Sequence, residues 1–199
     1  CIKVNASHIT IQGCEIMNGQ REGISIERAA DVTIQDCLIH DFMWIENGTR
    51  LDAHCIKIDS GISTTITGVT IQRNTIRRCS GDGTQIFAET GQSLSTYPTD
   101  IKFLDNTFIC GEPTFGLTEN ALDFKAGDDV IVRGNTMTGY ISNKTVVVQK
   151  GCRNVKIENN TLSDGLSGIE MRTEGGSSFI ELNNSVVGNL IYNMSSYGL

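Results

Sequence analysis

Residues 130–137 read VIVRGNTM. Apolar side chains stand five and three places before Asn135 and another stands two places after it. An alternating strand therefore runs into a polar corner and leaves it as a second strand. One such octet decides little, but it recurs. The same grammar appears as ITIQGCEI (9–16), VTIQDCLI (32–39), VTIQRNTI (69–76), IKFLDNTF (101–108) and VKIENNTL (155–162), with a degraded copy, NSVVGNLI, at 184–191. The anchors at 14, 37, 74, 106, 135, 160 and 189 lie 23 to 37 residues apart. That is the period of a solenoid whose units stack on one another, and it predicts seven turns.

Each anchor is preceded by a second short alternating strand: Ile2/Val4, Ile24/Ile26, Ile56/Ile58, Thr84/Ile86, Leu122/Phe124, Val146/Val148 and Ile169/Met171. These pairs are expected to point inward and the residues between and after them outward. Apolar runs at helical spacing are nearly absent, while Asn and 21 glycines punctuate the corners, where the backbone must turn left-handed. The fold class that follows is an all-β coil.

The octets and strand pairs resemble the right-handed parallel β-helix family, which includes pectate, alginate and chondroitin lyases, polygalacturonases and phage tailspikes. The resemblance covers nearly the whole chain. It implies about three strands per turn and an inward asparagine ladder at one corner, with Asn74, Asn106, Asn135 and Asn160 in the ladder and Cys14 and Cys37 replacing it at the start. These asparagines then have a structural role, since a buried amide both donates and accepts.

Residues 1–199 are expected to form one β-helix domain. The chain begins inside a strand and ends at SSYGL without an amphipathic cap. It is therefore expected to be a segment of a longer protein, or to have its strand edges covered by flanking domains or end-to-end contacts. No apolar run approaches the ~18 residues of a membrane span. Seven cysteines include Cys14 and Cys37 in one column and Cys79 and Cys110 nearly in another, so either pair is a candidate disulfide. Sequons at Asn5, Asn47, Asn143, Asn159, Asn183 and Asn193 suit a secreted protein, and the resemblance implies an extracellular or cell-surface location.

A net charge of −7 and a pI near 4.9 exclude nucleic acid as a partner, because phosphate neutralisation needs clustered Lys and Arg. The same charge repels a polyuronate unless basic residues are concentrated somewhere or a cation bridges two sets of carboxylates. The outward rows predicted from the register are Lys3, Ser25, Lys57, Gln85, Asp123, Val147, Glu170 and then Asn5, Glu27, Asp59, Phe87, Lys125, Gln149, Arg172. Charges of both signs meet in their middle, and long insertions at 42–54, 88–100 and 110–120 border the same face. Loops on a rigid scaffold are where binding usually resides.

From this face the site is drawn. Lys57, Gln85 and Lys150 are expected to bind substrate, with Trp44, Tyr97 and Phe115 either stacking on sugar rings or packing their own loops. Asp82, Glu119 and Asp123 would form an oxygen-rich calcium site, unless they only shape turns by bonding to their own backbone. The β-helix lyases abstract the proton beside a uronate carboxylate with Lys or Arg, and the resemblance makes Lys125 the base, His54 the alternative acid or base, and Arg172 or Lys150 the carboxylate holder. The N-T-D and G-H-G motifs of the polygalacturonases are absent, and the lone GDD (127–129) follows a strand. The expected function is a secreted, carbohydrate-active protein acting on an acidic polysaccharide by β-elimination. The alternatives are a non-catalytic glycan-binding or surface-structural β-helix, and a hydrolase or epimerase on the same scaffold.

Overall fold

Because each repeat alternates with the same phase, stacking them brings like residues level with like. The structure, a computed structural model, describes residues 1–62, 64–87, 89, 92–110, 118–172 and 183–198. Three parallel sheets of seven strands each wind into a right-handed β-helix of seven turns. In the fifth turn the chain runs through Leu122–Phe124 of the first sheet, Asp128–Arg133 of the second and Thr136–Thr138 of the third. Neighbouring turns supply the equivalent strands on either side. One antiparallel hairpin, Trp44–Glu46 with Thr49–Leu51, projects from the coil ahead of the third turn's first-sheet strand.

The core is the stack of inward columns. Register pairs Ile26, Ile58, Ile86, Phe124 and Val148 in one line, and all five are fully buried. Phe124 also stacks on Phe103 of the second sheet, with ring centroids 5.4 Å apart. Burying each such side chain stabilises the fold by roughly 1.5–3 kcal/mol. A charge placed at Ile86 would lose that contribution and have no partner.

The corner between the second and third sheets is the most regular part. The Oδ1 of Asn106 accepts the Asn74 backbone N–H (3.0 Å) and its side-chain amide (3.0 Å), and the Oδ1 of Asn135 does the same for Asn106 (2.9 and 2.9 Å). Asn160 and Asn189 continue the series. The residue just before each anchor sits in the left-handed region, with φ from 53° at Arg73 and Asp105 to 70° at Gly134. Asn, Asp and Gly recur there because they tolerate that backbone best.

The cysteines pair differently from expectation. Cys55 is joined to Cys79, with Cα atoms 5.6 Å apart, which ties the start of the third turn to its end across the corner between third and first sheets. Register explains why Cys79 does not reach Cys110: Arg77 lies level with Ile109, so Cys110 falls level with Arg78. Cys14 and Cys37 share a column but remain thiols, each directed at a carbonyl two residues earlier.

Candidate functional site

The two outward rows align as the register requires. Lys3, Ser25, Lys57, Gln85, Asp123, Val147 and Glu170 are level across the first sheet. Backbone N–H groups of Glu27, Asp59, Phe87, Lys125, Gln149 and Arg172 carry the ladder two residues further. At the N-terminal end the rows neutralise themselves. Lys3 pairs with Glu27 at 2.7 Å and Lys57 with Asp59 at 3.0 Å, and the Lys57 ammonium lies 4.1 Å from the Phe87 ring centroid.

From the fourth turn onward the face becomes a connected polar surface. Gln85 Nε2 donates to Asp82 Oδ2 (2.9 Å), and Gln149 Nε2 donates to Asp123 Oδ1 (2.7 Å). Arg172 gives Nε and Nη2 to Gln149 Oε1 (3.2 and 2.9 Å) and Nη1 to Glu170 (3.2 Å). These bonds hold the guanidinium in one orientation while its side chain stays 44% exposed.

A pocket of about 400 Å³ opens here, walled by Lys125, Lys144, Lys150 and Arg172 together with Glu119, Asn120, Asp123, Asn143, Val147 and Gln149. Even with Glu170, which pairs with both Lys144 and Arg172, four cations face three carboxylates. On a chain of net charge −7, this is a local reversal of sign. A second polar pocket of about 390 Å³, walled by Arg50, Asp52, Ser80, Glu119, Ser142 and Asn143, adjoins it. Glu119 and Asn143 belong to both, so the two form one groove across adjacent turns. Arg50 reaches it from the hairpin and donates to the Ser80 carbonyl at 2.7 Å.

Charge states follow from this packing. Burial alone would lower the Lys125 pKa, but the Asp123 carboxylate at 3.2 Å, with Asp82 and Glu119 beyond, holds it above the ordinary lysine value. Burial first, then the Asp82 and Asp52 carboxylates, push Glu119 up. Burial also raises Asp82, against the pull of His54 and Lys125. A lysine held protonated is suited to gripping an anion and unsuited to accepting a proton. The Asp123 carboxylate thus works against the role of base expected for Lys125.

The other expected site residues divide. Lys150 and Arg172 line the cationic pocket. Gln85 is buried and acts through Asp82, and Lys57 is engaged by Asp59 and Phe87. His54 is buried, lines neither pocket and accepts the Asp82 backbone N–H at Nδ1 (2.9 Å). Gly81 packs so closely over it that a Cβ there would lie 2.7 Å from that nitrogen. Tyr97 is buried too, its pKa pushed up to about 12 by that burial, and its hydroxyl donates to the Lys150 carbonyl at 2.6 Å. It positions the Lys150 turn and offers no face to a sugar. Trp44 is half-buried beneath the Arg21 guanidinium, 4.1 Å from its ring centroid, and Phe115 lies outside the described residues.

The expected calcium ligands do not assemble. Asp82 is fully buried and lines neither pocket, Asp123 is taken by Gln149 and Lys125, and Glu119 stands at the rim within reach of Asn143. Among the described residues no group of three or more Asp, Glu, His or Cys is placed to hold a metal. Sequence reasoning also missed Lys144 and Asn143. Extending the column of Asn120 by one turn finds Lys144, since Leu122 is level with Val146.

Several solved structures share this fold at low identity. The surface adhesin PfbA of Streptococcus pneumoniae superposes with a TM-score of 0.61 at 13% identity, over 98% of this chain and 61% of its own. An alginate lyase from Paenibacillus sp. str. FPU-7 gives 0.60 at 14% identity, over 99% of this chain and 74% of its own. The pectate lyase Pel9A gives 0.57 at 16% identity, over 99% and 49%. No curated protein sequence matches the chain. The description "Right handed beta helix region" matches residues 1–199, and the chain belongs to that family.

Proposed function

We propose that the outer face of the first sheet binds an acidic, uronate-containing polysaccharide outside the cell or at its surface. One observation carries this reading. Four of the sixteen Lys and Arg residues of an acidic chain line one pocket, where Lys125, Lys144, Lys150 and Arg172 would receive a sugar carboxylate. Arg172 is already oriented by Gln149 and Glu170, so little ordering is left for the ligand to impose. The Cys55–Cys79 bond suits an oxidising compartment, and no helix among the described residues is long and apolar enough to cross a membrane. Two of the proteins sharing the fold are lyases of alginate and pectate, and a third is a surface adhesin.

Cleavage by β-elimination is the second reading, favoured by Glu119. The pocket cations would withdraw charge from the carboxylate and so acidify the adjacent C–H. Glu119, at the rim with its pKa raised, is the group nearest in character to a proton acceptor at neutral pH. The test is retention of the protein on immobilised uronate homopolymer, mixed uronate heteropolymer and neutral glucan, with absorbance of an unsaturated product followed in parallel. Salt-sensitive retention on either acidic polymer and none on the glucan is the expected result. Retention on the glucan alone, or on nothing, overturns the proposal, and product absorbance separates a lyase from a binding module.

A further inference from the structure

The two adjoining pockets differ in the sign of their charge. The one on the face carries Lys125, Lys144, Lys150 and Arg172 against the carboxylates of Glu119 and Asp123. The other carries Arg50 against Asp52 and Glu119, with Ser80, Ser142 and Asn143 completing its wall. All six of its residues stand in the segments that lead into the first-sheet strands Ile56–Ile58, Thr84–Ile86, Leu122–Phe124 and Lys144–Val148, so this pocket is the rim of the face. Arg50 already gives Nη2 to the Ser80 carbonyl at 2.7 Å. The Ser80 hydroxyl donates to the Leu51 carbonyl (2.7 Å) and accepts the Ala53 N–H (3.1 Å). What the rim offers a ligand is chiefly the Asp52 and Glu119 carboxylates and the Ser142 hydroxyl.

These two surroundings favour different sugars. Burial first, then the Asp82 and Asp52 carboxylates, raise Glu119, and a uronate seated beside it would meet the same negative field. Like charges juxtaposed at an interface cost affinity steeply. A neutral pyranose meets no such repulsion, and its hydroxyls donate to carboxylate oxygens. Because both pockets share Glu119 and Asn143, one saccharide chain can occupy them together, and successive turns stand ~4.8 Å apart, close to the length of one pyranose. We propose that the groove selects a polysaccharide in which uronate alternates with a neutral sugar, the uronate on the cations of the face and the neutral sugar on the carboxylates of the rim. The inference rests on the glycan reading and narrows it, since a polyuronate would bring a charge to the rim as well. Net attraction alone gives the opposite order, because a polyuronate carries more charge per unit length.

The experiment is affinity electrophoresis of the parent and Asp52→Asn through gels carrying unsulfated polymers of two kinds. Polyglucuronate, polygalacturonate and alginate bear a carboxylate on every sugar; hyaluronan and chondroitin alternate glucuronate with a neutral N-acetylhexosamine. The parent is expected to bind an alternating polymer at least about tenfold more tightly than any polyuronate. Asp52→Asn, first checked for a cooperative melt, should narrow that ratio about threefold or more by strengthening polyuronate binding. Tighter binding of a polyuronate by the parent overturns the inference and leaves the glycan reading standing, as does an unchanged ratio in the folded variant. Retention by none of the five polymers removes both. If Asp52→Asn fails to fold, Asp52→Ser is judged by the same ratio.

Discussion

The asparagine corner and the outer face of the first sheet are built on the same register and behave in opposite ways. At the corner, Asn74, Asn106, Asn135, Asn160 and Asn189 repeat one residue, and each satisfies the next through a pair of amide hydrogen bonds. On the face, Lys57, Gln85, Asp123, Val147 and Glu170 occupy equivalent positions with five different side chains. Identical neighbours close on themselves, and Asn74, Asn106, Asn135 and Asn160 are buried. Unlike neighbours leave charge directed outward, and the cationic pocket forms where the column stops repeating.

If that contrast is right, stability and binding separate by location. The largest effect is expected from Asn135→Ala. It strands the buried Asn106 amide and the Phe103 carbonyl, and should cost about 4 kcal/mol in urea unfolding. Glycan retention should be unchanged wherever the variant is folded; equal loss of both would erase the distinction between corner and face.

Arg172→Ala should do the reverse, weakening affinity for an acidic glycan about tenfold while stability stays within ~0.5 kcal/mol. Affinity electrophoresis at two salt concentrations measures the first quantity and denaturant titration the second. A stability loss of several kcal/mol with intact retention would make Arg172 a structural residue.

The smallest and most discriminating effect lies in pH dependence. Burial raises Asp82 above its ordinary 3.8, so the folded state holds that proton more tightly. The resulting stabilisation is present in acid and lost as pH rises through the folded pKa. Asp82→Asn should therefore match the parent in acid and melt increasingly above it toward neutrality. Asp128, in the second sheet, has the opposite sign. Burial works to raise it, but hydrogen bonds from Arg153 and Asn154 hold it below 3.8. Its contribution is present above pH 3.8 and lost as pH falls, so Asp128→Asn should melt below the parent at neutral pH and converge in acid. Melting temperatures between pH 3 and 8 check both, and parallel curves would contradict the assigned environments.

Much of this architecture is legible in the sequence because strand side chains alternate with period two and stacked turns impose one phase. Once Ile58, Ile86 and Phe124 are read as inward, Lys57, Gln85 and Asp123 have only one place to go. What sequence reading misses depends on how separate corners pack. His54 resembles an acid or base until Gly81 is found seated on it. Tyr97 resembles a sugar platform until its loop is seen folded beneath Lys150. The charge state of Lys125 requires three carboxylates from two turns in one frame, and the Cys55–Cys79 bond joins residues that share no column.

The corner between second and third sheets is always two residues long: Gly13–Cys14, Asp36–Cys37, Arg73–Asn74, Asp105–Asn106, Gly134–Asn135, Asn159–Asn160 and Gly188–Asn189. The corners on either side of the first sheet vary widely, from the short turn at 125–127 to the hairpin-bearing stretch at 43–55. Differences in turn length are thus absorbed along the two rims of the first sheet, and the coil keeps its phase whatever length they have. Turns of different length therefore succeed one another along the coil while its winding is unchanged.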